Sequence, residues 1–189
     1  MSNYYDQASL NKAKKDKFTL ILSLPEALIP FNKKFTRNNS NIDLNTLQFS
    51  IYGTVVPKKS IPAEDVRYAG GNIFVSSHSK PSYEPISVNF TIDNQFNNYW
   101  VIYKWLDLLR NEKSGVYENP ETAFDKGLGQ YTSDFYIIGR DDFNKEVIQW
   151  VYKSCFPISL GEINYNHREA EEIETTFEFV FRRMETILL

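Results

Sequence analysis

The segment that most constrains the fold is ISVNFTID (86–93), in which apolar and polar residues alternate without a break. Its apolar members are Ile86, Val88, Phe90 and Ile92, and its polar members are Ser87, Asn89, Thr91 and Asp93. Successive side chains of a β-strand point to opposite faces of the sheet. The pattern therefore predicts an antiparallel strand with one face in a core and one polar face.

Further segments have the composition of strands. They are FTLILSL (18–24), LQFSIYGTVV (47–56), the hairpin formed by SDFYIIG (133–139) and KEVIQWVYKSC (145–155), and the closing EINY (162–165) and IETTFEFVFRR (173–183). Gly53 interrupts the apolar set of its strand and predicts a bulge or a close approach of backbone at that position. Pro157 and Gly161 are expected to bracket a turn, and Glu26–Asn45 reads as an excursion on the surface.

A long hairpin and one helix complete the prediction. The turn signal Gly70-Gly71-Asn72 predicts a hairpin from about Val66 to Ser79, with little of it in the core. The helix is expected over Asn97–Arg110, with Asn94 or Asn97 as its N-cap. Its apolar stripe consists of Tyr99, Ile102, Trp105, Leu106 and Leu109.

The predicted fold class is mainly β, an antiparallel β-sandwich or barrel with one flanking α-helix. It forms a single domain (17–189) behind a flexible N-terminal tail (1–16), and Asn111–Thr132 is expected to be an exposed loop. The 14 Phe, 12 Tyr and 3 Trp are far too many for a disordered chain.

Charge and cysteine content exclude several classes of protein. A formal net charge of −3, spread along the chain, argues against a sequence-reading DNA-binding domain. The lone Cys155 and the distant His78 and His167 can build neither a disulfide nor a metal cluster. The first 17 residues contain no apolar signal core, and no apolar run reaches the roughly 18 residues of a membrane span. We therefore expect a soluble protein that begins near Met1, folds in the cytoplasm and does not insert into membranes.

The residues that suggest chemistry have simpler explanations. Asp141-Asp142 is typical of a hairpin turn, because adjacent strand residues point apart and cannot act as a carboxylate pair. His78 is flanked by serines but lacks a third catalytic partner, so it reads as a polar hairpin residue. An acidic group without the pattern of a calcium loop is expected to be a solvated surface; it consists of Glu169, Glu171, Glu172 and Glu174. No enzyme activity and no cofactor are predicted.

The order of elements resembles the tail tube proteins of contractile-tailed bacteriophages. The resemblance starts at LQFS (47–50) and the break TVVP (54–57), and continues through the long hairpin into ISVNFTIDNQFNNYWVIYKWL (86–106). In the closing block, Phe156-Pro157, Gly161-Glu162-Ile163 and Glu172-Ile173-Glu174 follow one another before a final aromatic strand. The resemblance covers roughly residues 47–189, with 18–24 as the family's first strand.

This resemblance implies a structural virion protein and no enzyme. Its subunits would form six-membered rings that stack into a hollow tube, a ring-closed β-barrel, inside a contractile sheath. Assembly in the host cytoplasm, contacts with sheath, baseplate and tape-measure proteins, and transient passage of DNA follow from the same resemblance. Ring closure also agrees with the strand pattern, because it pairs sheet edges that a monomer would have to protect.

The polar faces of two strands, 47–56 and 86–93, are the predicted lining of the channel. The residues are Gln48, Ser50, Tyr52, Thr54, Ser87, Asn89, Thr91 and Asp93. None of them is Lys or Arg, and a cationic wall would bind the phosphates of passing DNA through counterion release.

Stacking between rings is assigned to the hairpin segment Ile61–Pro85, which sits in the position of the family's projecting hairpin. Its candidate contact residues are Arg67, Tyr68, Phe74, His78 and Lys80. Because a free hairpin is marginal in water, we expect it to be mobile in the isolated subunit and ordered in the stack.

Two alternatives remain open on the sequence. Within the same superfamily, the chain would be the baseplate protein that starts the tube, or the inner-tube protein of a contractile injection or type VI secretion machine. In another class altogether, it would be a monomeric β-barrel that binds a small ligand.

Overall fold

The computed structural model describes residues 12–25, 28, 50–79, 83–109, 131–168 and 170–189. Within them the chain forms nine β-strands and one α-helix. The strands are β1 (Phe18–Leu22), β2 (Ile51–Thr54), β3 (Ala63–Tyr68), β4 (Gly71–Ser76), β5 (Ile86–Thr91), β6 (Ser133–Arg140), β7 (Glu146–Leu160), β8 (Glu174–Val180) and β9 (Arg183–Leu188). The helix α1 (Asn97–Leu109) follows β5. Except for Leu28, the predicted excursion Glu26–Asn45 lies outside the described residues, and so does the predicted loop up to residue 130.

Seven strands form one antiparallel system, and β3 and β4 form a separate hairpin. Sheet A consists of β1, β6, the first part of β7 and β9. Sheet B consists of the last part of β7, then β8, β5 and β2. Among the described residues the strand order ends openly at β1 and β2, so the subunit itself is no closed barrel. The prediction of a mainly β fold with antiparallel sheets and a helix is confirmed.

Strand β7 belongs to both sheets, and it changes sheet at Ser154. It pairs with β9 up to Lys153 and with β8 from Phe156 onward. Ser154 has a φ of 57°, in the left-handed region, and its N–H donates to the Asp134 carboxylate at 3.0 Å. Asp134 lies where the β6–β7 register shifts, between Ser133 and Phe135. A bulge held by one side chain thus bends the long strand around the core.

The predicted turn between Pro157 and Gly161 is wrong. Strand β7 continues through a buried Pro157 to Leu160 and pairs with β8 on the way. The register shifts between Pro157 and Ser159. An irregular point in a ladder is where a proline, which has no N–H to donate, is tolerated.

The end of the chain also differs from the prediction. The segment EINY (162–165) forms no strand, and the single predicted strand 173–183 ends at Val180. Arg182 donates its backbone N–H to the Lys153 carbonyl at 2.9 Å, and β9 then runs antiparallel to β7. Strand β9 was not predicted.

The core lies between the two sheets and α1. The predicted alternation in β5 is confirmed, because Ile86, Val88 and Phe90 are buried while the residues between them are half-buried. Aromatic rings dominate the packing: Phe135 makes edge contacts with Trp105 and Phe179, at 5.9 and 4.8 Å between ring centroids. One continuous apolar cluster therefore joins sheet A, sheet B and the helix.

The helix begins as predicted at Asn97, but its cap is Asp93, and neither predicted asparagine takes that role. The Asp93 carboxylate accepts the backbone N–H of Asn97 at 2.9 Å and of Asn98 at 3.3 Å. The buried Asn98 side chain donates to the Thr91 carbonyl at 2.8 Å. These bonds satisfy N–H groups that a helix start leaves free, and they tie α1 to the end of β5. Arg110, the predicted last residue, lies outside the described residues.

Candidate functional site and assembly surfaces

The face of sheet B that points away from the core is polar, and we call it the polar face. The antiparallel register sets Ser87 opposite Glu178, Asn89 opposite Thr176 and Thr91 opposite Glu174. Its members are Ser87, Asn89, Thr91, Ser159, Glu174, Thr176 and Glu178. Within the described residues it therefore carries two carboxylates and no lysine or arginine.

Two hydrogen bonds of the described residues run across the polar face, one from β2 over β5 to β8 and one between the neighbouring strands β7 and β8. The Tyr52 phenol hydroxyl donates a hydrogen bond to Glu174 Oε2 at 2.9 Å, and the Ser159 hydroxyl donates one to Glu178 Oε2 at 3.0 Å. Desolvation raises the pKa of the Tyr52 phenol, and the contact with Glu174 raises it further. The phenol thus stays protonated and remains a donor to the carboxylate.

The predicted bulge at Gly53 is confirmed, and it decides which residues of β2 reach the polar face. The register shifts between Ile51 and Gly53, after which Gly53 pairs with Asn89 and Thr54 with Val88. A Cβ on Gly53 would lie 2.9 Å from Asn89 Nδ2, so the backbone passes close over that amide. Thr54 shares the face of the buried Val88.

The structure brings half of the predicted lining residues together. Ser87, Asn89 and Thr91 lie on the polar face, with Tyr52 reaching over it. Asp93 instead caps α1, and Thr54 is on the other side of the sheet. Ser50 is half-buried immediately before β2, and Gln48 lies outside the described residues.

Sequence reasoning missed the contribution of β7 and β8 to this face. In the predicted strand 173–183 the aromatic residues Phe177, Phe179 and Phe181 share a face, but no role was predicted for the polar residues that alternate with them. The period of two places Glu174, Thr176 and Glu178 together on one face. The alternation of polar residues in β8 can be read from the sequence. The pairing of β8 with β5, which joins these residues to the polar face, cannot.

The hairpin of β3 and β4 has two different faces. Its turn is Ala69-Gly70, with φ values of 50° and 83°, one position earlier than the predicted tip. One face, which we call the apolar hairpin face, contains Glu64, Val66, Tyr68, Ile73 and Val75. The other face carries Asp65, Arg67, Asn72 and Phe74, and Asn72 donates to Asp65 at 2.9 Å. All residues of both strands are exposed, which confirms that the hairpin contributes no core.

The predicted stacking residues divide between these faces. Tyr68 is on the apolar hairpin face, while Arg67 and Phe74 are on the opposite one. His78 follows β4 with a φ of 53°, and its backbone N–H donates to Ser76 Oγ at 3.3 Å. Lys80 lies outside the described residues.

A cleft of about 750 Å³ opens at the end of the sandwich, between sheet A and β2. Its apolar floor is made by Ile137, Ile148 and Trp150, and residues 12–15, 17 and 18 and the turn between β6 and β7 form its rim. On that rim, Asp141 accepts the N–H groups of Phe143 and Lys145, which confirms the predicted hairpin turn.

The part of the chain that the structure describes contains no group of three or more histidine, cysteine or acidic residues able to hold a metal ion. Within the same residues, no helix is both long and apolar enough to cross a membrane.

Comparison with known proteins gives a family and a fold. A family model described as phage tail tube protein matches residues 13–186. A chain of the sheath–tube complex of an extracellular contractile injection system, PVC, in the extended state is 9% identical, with a TM-score of 0.58 and 100% of both chains covered. A chain in the tube-terminating cap of the anti-feeding prophage is 10% identical, with a TM-score of 0.58 over 95% of this chain and 93% of that chain. A chain in the baseplate of the same prophage is 11% identical, with a TM-score of 0.54 over 94% and 96%. No curated protein matches the sequence.

Proposed function

Because the chain belongs to the phage tail tube protein family and is a structural protein of the inner tail tube, we propose that it forms homo-hexameric rings that stack into a hollow tube. The observation that carries the proposal is the family match over residues 13–186. The open sheet edges add physical support. Six copies would give each ring a formal charge of 6 × −3 = −18.

Ring closure is the proposed role of the strands at the edges of the sheets. Within the described residues, β2 has a partner only in β5, and β1 only in β6. Unpaired N–H and C=O groups along an edge favour pairing with another chain. If neighbouring subunits pair these edges, the strands of sheet B continue from subunit to subunit and close into a barrel.

We assign the channel wall to the polar face, with Tyr52 at its border. The carboxylates of Glu174 and Glu178 repel phosphate, and the neutral residues between them offer no counterion-releasing contact. DNA in such a channel slides past the wall. Of the residues predicted to line the channel, Ser87, Asn89 and Thr91 remain in the proposed wall. The polar residues of β7 and β8 are added to it.

Stacking of rings is the proposed role of the β3–β4 hairpin. Its strands are exposed along their whole length, so they contribute contact surface without weakening the core. A two-stranded hairpin is marginal alone, and contact with the next ring would order it. Folding of the hairpin and growth of the tube would then be coupled.

The proposed setting is the tail of a virion assembled in the host cytoplasm, with sheath, baseplate and tape-measure proteins as partners and DNA as transient cargo. A second candidate is a tube-initiating ring or the inner tube of a contractile injection or secretion machine. The similarity in fold to chains from sheath–tube, cap and baseplate complexes supports this second candidate.

A function of another class, binding of a small ligand by a monomer, is suggested by the cleft, whose volume is in the range of ligand pockets. Gel filtration with negative-stain electron microscopy distinguishes a tube-forming protein from a monomeric ligand-binding protein. Tube formation predicts rings or rods from purified protein at high concentration, with sheath or baseplate proteins added if needed. A particle that stays near 22.1 kDa under all these conditions would refute it.

A further inference from the structure

Among the described residues, two surface features of the subunit are left uncovered. On the apolar hairpin face, Val66, Tyr68 and Ile73 are 41%, 69% and 44% exposed. Four apolar side chains on one side of a hairpin of two six-residue strands make a continuous patch in water, and patches of this kind mark contact sites. The second feature is the cleft with its floor of Ile137, Ile148 and Trp150.

The charges of the two features are complementary. Of the described residues that line the cleft, six are cationic, Lys12, Lys14, Lys15, Lys17, Arg140 and Lys145, and three are acidic, Asp141, Asp142 and Glu146. The difference is 6 − 3 = +3 formal charges. On the apolar hairpin face the ionisable side chain other than Tyr68 is Glu64, since Arg67 points to the opposite face. The carboxylate is thus on the same face as the apolar side chains.

Within one subunit, as the structure describes it, the apolar hairpin face does not pack into the cleft, because the residues of β3 and β4 are all exposed. A second copy of the chain can supply what is missing. Each copy offers one hairpin and one cleft, so the contact is heterologous and each copy binds the next in the same direction. Repetition of such a contact produces a ring or a helical stack, as the proposed function requires.

We propose that the apolar hairpin face of one copy docks into the cleft of the next copy, with Glu64 toward the lysine-rich rim. The proposal rests on the proposed function and goes further by naming the acceptor surface. Phe74 then remains outside the contact although it is 81% exposed, because it lies on the other face of the hairpin.

Cross-linking between two single-cysteine variants tests the contact. A short bis-maleimide is added to mixed Val66→Cys and Val147→Cys proteins after assembly; Val147 lines the cleft and is 42% exposed. Burial raises the pKa of the native Cys155 thiol to about 12, which keeps it unreactive. We expect dimers that contain one copy of each variant.

The matched controls change one side of the contact at a time. Asn72→Cys places the thiol on the opposite hairpin face, and Ile158→Cys places it on an exposed part of β7 outside the cleft. Both control pairs should give at least several-fold less cross-linked dimer.

Four results are informative. Preferential linking of Val66→Cys to Val147→Cys supports the proposal. Rods that form normally but link equally well through Asn72→Cys overturn it and leave the proposed function intact. Linking within one chain between Ser9→Cys and Val147→Cys, in place of linking between chains, also overturns it, because residues 1–11 would then fill the cleft. Failure of the unmodified protein to assemble under any condition refutes the proposed function itself.

Discussion

The Asp134 carboxylate accepts the backbone N–H of Ser154 at 3.0 Å, at the residue where β7 leaves sheet A and enters sheet B. The other oxygen of Asp134 accepts from Lys153 Nζ at 2.6 Å. One half-buried side chain therefore holds the bend on which the two-sheet arrangement depends. Since sheet B carries the polar face, this bend also sets the direction of the proposed channel wall relative to the rest of the subunit.

Replacement of Asp134 should lower the free energy of unfolding. Asp134→Ala leaves the Ser154 N–H without its acceptor, and we expect a loss of about 1–3 kcal/mol. Asp134→Asn keeps an acceptor and loses only a partly exposed ion pair, so it should cost less than about 1 kcal/mol. Urea titration followed by tryptophan fluorescence measures both. Ser154→Gly is the control, because it keeps the N–H and removes the strain of a positive φ. Equal losses of unfolding free energy for the two Asp134 variants would show that Asp134 stabilises the fold through its ion pair with Lys153 and not through the hydrogen bond at the bend.

Stability should fall in alkaline solution because of two buried groups. Burial raises the pKa of the Cys155 thiol to about 12 from 9.0, and it raises the pKa of the Tyr152 phenol well above 10.0. Above pH 9 the unfolded chain therefore loses protons that the folded chain retains, which favours unfolding increasingly up to about pH 12.

Variants should assign this pH dependence to the two groups. Tyr152→Phe and Cys155→Ala are each expected to flatten the decline in unfolding free energy between pH 9 and 12, as measured by urea titration at several pH values. Tyr165→Phe is the matched control, since Tyr165 is 73% exposed. A decline that neither buried substitution alters would contradict this explanation.

A lysine on the polar face should turn the channel into a DNA-binding surface. Asn89→Lys places a cation opposite the neutral Thr176, whereas a lysine at Thr91 would be partly neutralised by Glu174 across the strand. We expect Asn89→Lys tubes to assemble and to release DNA more slowly, with high salt restoring the rate because it screens and displaces the contact. Ejection rates at two salt concentrations measure the effect, and Asn89→Gln is the uncharged control. A rate equal to that of the control at low salt would remove Asn89 from the wall.

Shortening the β3–β4 hairpin should separate folding from tube growth. Removal of a few residues on each side of Ala69-Gly70 deletes only exposed residues, so the domain should keep its thermal unfolding temperature. Long tubes should disappear from negative-stain images, while single rings can persist. If the shortened chain still forms long tubes, stacking belongs to another segment, with the N-terminal tail and the loop Asn111–Thr132 as the next candidates.

The predictable part of the fold is the part with local periodicity. Strand β5 and helix α1 were predicted nearly to the residue, because one face of each is buried against the core and the other is not. The hairpin was predicted from its glycines, with the tip displaced by one residue.

What escaped prediction depends on pairing between distant residues. Pro157 signals a break locally, but β8 and the register shift beside it carry β7 onward to Leu160. Strand β9 shows no marked pattern of its own and exists through its pairing with β7. The bulge at Gly53 was predicted, yet its consequence for Thr54, a change of face, required the partner strand to be known.

The most direct test of the proposed tube is a cryo-electron microscopy reconstruction of the assembled protein. We expect stacked six-subunit rings in which the polar face lines the channel, with Glu174 and Glu178 toward the axis and β2 paired with a strand of the neighbouring subunit. Tubes whose channel is lined by lysine, or in which sheet B faces outward, would contradict the assignment of the wall. Protein that remains monomeric with and without sheath and baseplate partners would contradict the tube itself.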